Sequence, residues 1–146
     1  MEKEYVNTGK LRFALLDLPL EAIHKNAFKA AEATRCAKGQ GKYWEMHERL
    51  FTNQQALNPD DLVGHAKAIG LNEDGFKRCL TEGTYAAAVR RDMGEAQKAG
   101  ITGTPAFFLA VPEGKDGKVK TLQRLSGAQP FAAFQAAIDA ASANTK

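Results

Sequence analysis

Apolar positions fall into two kinds of pattern along this chain. Short unbroken runs stand near both ends, and helical spacing fills the middle. The first run covers residues 11–18, with Leu11, Phe13, Ala14, Leu15, Leu16 and Leu18 closed off by Pro19. Its length and its proline boundary predict a buried strand rather than a helix. Residues 2–9 ahead of it are polar and helix-compatible, with Gly9 as a stop. From 24 to 37 the spacing turns helical: Ala27, Ala30, Ala31 and Thr34 recur at i, i+3, i+4 and i+7, and Gly39 and Gly41 break the pattern. Tyr43, Met46, His47 and Leu50 repeat that spacing over 42–51.

Local signals then delimit three more helices. Asn58-Pro59 reads as an N-cap with proline in the first turn, and Leu62, Ala66 and Ile69 form the inner face. Asn72 caps a short helix carrying Phe76, Cys79 and Leu80, which stops near Gly83. Thr84 caps a longer one with Tyr85, Ala88, Val89, Met93 and Ala96, ended by Gly100. The last third changes character. Turn chemistry at 102–105 leads into an apolar run at 106–111 that reads as a strand. Pro112 to Lys118 reads as a hairpin loop and 119–125 as an edge strand. A final helix follows Pro130, with Phe131, Phe134 and Ile138 facing inward. The order strand, five helices, two strands, helix predicts an α/β layer fold with a helical insertion. Three strands make a thin sheet for a chain of 146 residues.

Composition narrows the function classes. Hydrophobic residues make up 44% and charged residues 25%, which excludes a disordered tail, a fibre or a coiled-coil rod. Twenty Lys and Arg against seventeen Asp and Glu leave a net charge of +3, with no basic block longer than Arg90-Arg91. That gives no electrostatic case for a nucleic-acid partner or an anionic membrane. No window approaches the roughly 18 apolar residues of a membrane span. The start of the chain through Tyr5 is polar and holds no signal-peptide core, so the residues alone leave the compartment undetermined. Two cysteines are too few for a disulfide-scaffolded miniprotein or a four-cysteine zinc site, and His24, His47 and His65 show no metal-ligand spacing. There is no phosphate loop and no nucleophilic-serine motif, and no cofactor is implied.

Several side chains invite a functional reading beside a plainer one. His47, next to Glu48, reads as a helix histidine rather than a metal or acid–base group. Asp17 interrupts an apolar run; it reads as a strand-end residue in water, with a buried proton-relaying carboxylate as the alternative. Tyr43, Trp44 and Phe51 read as a core cluster, with a peptide-binding surface as the alternative. Cys36 and Cys79 read, from the residues alone, as two buried free thiols, with a disulfide or redox pair left open. Thr104-Pro105 alone reads as a trans turn before a strand.

Four stretches, taken in order, resemble the DsbA-like branch of the thioredoxin superfamily. They are Glu4-Tyr5-Val6-Asn7-Thr8-Gly9-Lys10 with the run up to Pro19-Leu20; Ala30-Ala31-Glu32-Ala33-Thr34-Arg35-Cys36-Ala37 with Gly41-Lys42-Tyr43-Trp44-Glu45-Met46-His47; Leu50-Phe51-Thr52-Asn53-Gln54 with Phe76-Lys77-Arg78-Cys79-Leu80; and Gly100-Ile101-Thr102-Gly103-Thr104-Pro105-Ala106-Phe107-Phe108. The resemblance implies a thioredoxin-like sheet, built from 1–20 and 101–146, with a helical insertion at 21–100. It implies thiol–disulfide exchange in the cell envelope on a peptide or protein thiol. It also implies a cis bond at Thr104-Pro105 lining a peptide groove, and a structural disulfide between Cys36 and Cys79.

The family's Cys-x-x-Cys, with the strand before it and most of its helix, has no counterpart ahead of Lys10. Such a unit needs about 30 residues. The expectation is therefore an N-terminally truncated family member, lacking the first strand and redox-incompetent as it stands. Its exposed sheet edge is expected to close by homodimerisation, or by the 11–18 strand shifting across to pair with 106–111. The alternatives are a homodimeric binding or assembly module with the chemistry lost, and a glutathione-linked transferase or isomerase.

Overall fold

The computed structural model describes residues 2–114 and 118–144. The chain packs as two units, one formed by 1–15 with 101–146 and the other by 16–100. The sequence reading places the first boundary slightly later, after residue 20.

The unit of 16–100 is helical: α1 (Ala27–Lys38), α2 (Tyr43–Thr52), α3 (Pro59–Ala68), α4 (Glu73–Thr81) and α5 (Ala86–Lys98). Capping chemistry sets the middle boundaries. Asn58 and Asp61 form a reciprocal capping box around Pro59, and the Asn72 side chain accepts from the Gly75 N–H at 2.7 Å. Thr84 is not the cap of α5. Its N–H closes the end of α4 on Cys79 O, and Tyr85 stands at the N-cap position. The turn between them uses Gly83 at φ +63°, a conformation other residues rarely adopt. The core gathers Ala33, Cys36 and Ala37 of α1, Met46 and Leu50 of α2, Leu62 and Ala66 of α3, Leu71, and Phe76 and Leu80 of α4. Small residues on α1 let the other helices approach its axis closely.

The other unit opens with a single π-type turn, Glu2–Val6. It continues in β1 (Ala106–Glu113), β2 (Lys118–Ser126) and α6 (Phe131–Asn144). The strands form an antiparallel pair, Phe107 opposite Leu125 and Phe108 opposite Arg124, with an irregularity at Leu109/Ala110. Phe107 meets Phe134 edge-on at 4.8 Å, which seats α6 on one face of the hairpin. Tyr5 is buried and donates to Asp139 Oδ1 at 2.9 Å, tying the N-terminal turn to α6.

Four expectations need correction here. Residues 11–18 form no strand, and the sheet among the described residues has two strands, β1 and β2. A strand is stabilised by its partner, and among the described residues this run does not shift across to pair with 106–111. The hairpin loop is shorter than 112–118, because Pro112 and Glu113 still pair with Val119 and Lys118; 115–117 lie outside the described residues. Phe131 is exposed, and the inward face of α6 is Phe134, Ala137 and Ile138. Trp44 and Phe51 are not core residues: they are 52% and 65% exposed, while α2 buries Met46 and Leu50.

Phe76 has no exposed surface and sits among residues of all four helices that line this core. Phe76→Ala is expected to lower unfolding stability by about 3–5 kcal/mol, read as a fall in the urea midpoint at unchanged slope.

Candidate functional site

Three groups of residues carry the chemistry expected of this chain. The first is the start of β1. The Thr104-Pro105 peptide bond is cis. Pro105 C=O accepts from Gly127 N–H at 2.9 Å, extending the hairpin ladder by one rung. Gly127 turns the chain there at φ +76°. Thr104 is exposed, and its backbone N–H and C=O meet no partner among the described residues. The edge of β1 away from β2 carries no strand among those residues.

The second is the cysteine pair. Cys36 on α1 and Cys79 on α4 are joined by a disulfide, with their Cα atoms 5.9 Å apart. Cys36 is 4% exposed and belongs to the core of the helical unit, with Cys79 packed against it from the rim. The free-thiol reading of the residues alone is thereby replaced. The bond closes a separation of 43 residues between two helices that already touch.

The third was the hardest to read from sequence. Asp17 is 9% exposed rather than in water. Arg35 Nε donates to Asp17 Oδ2 at 2.5 Å, and Arg35 Nη2 donates to Asp92 Oδ2. That same Asp92 oxygen also accepts the Asp17 N–H at 3.1 Å. Burial pushes the Asp17 carboxyl above its ordinary value, against the pull of Arg35 and helped by Asp92. Tyr43 is likewise raised, by burial first and by Asp17 second. His47 is lowered by burial, with Asp17 acting the other way. His47 lies between rings, 4.5 Å from Phe51 and 5.6 Å from Trp44. Sequence reasoning singled out Asp17 and His47 but missed Arg35 and Asp92, which lie on other elements 18 and 75 residues from Asp17. It also missed the buried Glu32, whose carboxylate has Lys29 Nζ at 2.7 Å. The i, i+3 spacing of that pair was the available signal.

The remaining histidine with a defined role is structural. Arg49 Nε donates to His65 Nδ1, so Nε2 carries the ring proton and donates to Ala56 O at 2.9 Å. Among the described residues no group of three or more His, Cys, Asp or Glu is placed to hold a metal ion.

A family profile described as thioredoxin matches residues 1–140. The chain belongs to the thioredoxin family. A hairpin followed by a helix, with helices ahead of it, is consistent with a thioredoxin-like fold, here with a small two-stranded sheet. Similar proteins include the Na(+)/H(+) antiporter NhaA 1 of Salinispora arenicola, 34% identical over 93% of this chain and 19% of that protein. The Na(+)/H(+) antiporter NhaA 3 of Salinispora tropica is 36% identical over 71% of this chain and 16% of its own length. The Na(+)/H(+) antiporter NhaA of Herminiimonas arsenicoxydans is 33% identical over 68% of this chain and 16% of its own length. This thioredoxin-family chain thus spans less than a fifth of the curated relatives named here. No solved structure matches it. Among the described residues no helix is long and apolar enough to cross a membrane.

Two outcomes follow for stability. Replacing both Cys36 and Cys79 by alanine is expected to cost about 2–5 kcal/mol, measured by urea unfolding against the oxidised parent. Arg35→Met leaves Asp17 and Asp92 buried without their cation. It is expected to cost on the order of 3–5 kcal/mol in the same assay, more than Asp17→Asn, which leaves the Arg35–Asp92 pair intact.

Proposed function

We propose that these residues form the peptide-holding framework of a DsbA-like thiol–disulfide oxidoreductase domain and supply no exchange thiol themselves. The observation that carries this reading is the fate of the sulfur: the chain has two cysteines, and both are in the Cys36–Cys79 disulfide. Exchange starts with a thiolate attacking a disulfide. An oxidised pair with one sulfur in the helical core offers no such nucleophile. What the chain retains for a peptide or protein thiol substrate is backbone. Among the described residues the Thr104 N–H and C=O and the outer edge of β1 meet no partner, which suits an extended peptide bound through main-chain hydrogen bonds. The family resemblance at 100–108 supports Thr104 and Pro105 as the lining of that groove.

A second reading is favoured by one observation, the open edge of β1 in a two-stranded sheet. Such an edge pairs readily with another chain, which makes a homodimeric assembly module the alternative. Its solution mass would be twice 15.8 kDa.

The test is a pair of assays on the same protein. Turnover of a disulfide substrate with glutathione as electron donor is expected to stay at the rate of glutathione alone. Titration with an extended peptide is expected to shift the amide resonances of Thr104 and of β1, and not those of α4. Catalysed turnover, or shifts confined to the helical unit, would contradict the proposal.

A further inference from the structure

Residues 11–20 have no regular structure, yet Asp17 and Pro19 are buried while Leu16 stays exposed. The helical unit begins at residue 16, so Asp17 is its first polar anchor. That anchor is made of one cation and two anions. Arg35 of α1 reaches both carboxylates, and Asp92 of α5 holds the Asp17 backbone N–H as well. With all three ionised the cluster carries one excess negative charge in a largely buried place.

The other titratable groups facing Asp17 both come from α2, Tyr43 and His47. Tyr43 supplies no positive charge in either of its forms, and a protonated His47 favours the ionised form of Asp17. Burial raises the Tyr43 hydroxyl, and burial lowers His47 against the opposite pull of Asp17. The excess charge is removed most simply by a proton on Asp17. A protonated Asp17 still accepts from Arg35 through its carbonyl oxygen, so the contacts survive protonation.

We propose that the Asp17–Arg35–Asp92 cluster is a proton-linked clasp, fastening the 16–20 segment onto α1 and α5 and loosening it as pH rises. In the released segment Asp17 faces water and has its ordinary carboxylate value. In the clasped state its value is higher, so closing the clasp takes up a proton. The clasp has its full advantage below the ordinary Asp range and loses it as pH climbs through the raised value of the clasped state. The start of the helical unit is thereby sensitive to pH, while its disulfide-bonded core is not.

Hydrogen exchange on the whole oxidised chain tests this. The readout is the protection of the Asp17 and Leu18 amides, each normalised to an unstructured peptide of the same sequence. Between about pH 4 and about pH 8 their protection is expected to fall by about tenfold or more, while that of Leu62 in the core holds steady. Asp17→Asn is expected to flatten the dependence. Asp92→Asn keeps the titrating group but removes the excess charge, and is expected to move the transition to lower pH. His47→Gln removes a group that favours the ionised form of Asp17, so the transition is expected to persist and not to move to lower pH. Flat protection in the parent chain would overturn the proposal, as would a slope that survives Asp17→Asn. A transition unmoved by Asp92→Asn, or abolished by His47→Gln, would overturn it too.

Discussion

The helical unit depends on the burial of α1. Ala33 and Ala37 expose nothing, and between them Cys36 bonds covalently to α4. A helix can occupy a centre only if its side chains let its neighbours approach, and alanines at i and i+4 do that. The same helix then has to hold its polar residues. Arg35, one position before the cysteine, collects Asp17 and Asp92, and Glu32 is held by Lys29. One helix therefore carries the apolar centre, the covalent staple and the charge cluster of residues 16–100.

Residues 1–15 and 101–146 are organised differently. Among the described residues they hold a hairpin, the edge-on contact of Phe107 with Phe134, and the Tyr5–Asp139 hydrogen bond. A two-stranded sheet is marginal by itself, and much of β2 faces outward. The chain thus divides its labour physically. The packed core and the cysteine pair lie in the helical unit, and backbone without a partner among the described residues lies at Thr104 and along the outer edge of β1. This division is what lets the proposed framework role sit beside thioredoxin-family membership.

Much of this was legible in the sequence, for identifiable reasons. Helix limits fixed by local chemistry were read to within a residue or two, as at Asn58-Pro59 and Asn72, because a cap is a contact between near neighbours. The hairpin and the last helix were legible from apolar runs punctuated by glycine and proline. The run at 11–18 was misread because strand formation is decided by a partner, which no local pattern encodes. Trp44 and Phe51 were misread because helical spacing identifies a stripe, and α2 has two, one led by Met46 and Leu50 and one left at the surface. Asp17 was misread because its burial depends on Arg35 and Asp92, residues that only the fold brings to it. The family resemblance at the cysteines and at Thr104-Pro105 supplied what spacing alone left open.

The central claim, that these residues provide a framework and no exchanging thiol, is tested most directly by thiol titration of the folded protein across a series of glutathione redox buffers. The account predicts that the Cys36–Cys79 bond stays closed in the native state until the potential falls below about −300 mV, the range of structural disulfides. Rapid, reversible opening near the glutathione poise in the folded protein would contradict it and would make this pair an exchange site.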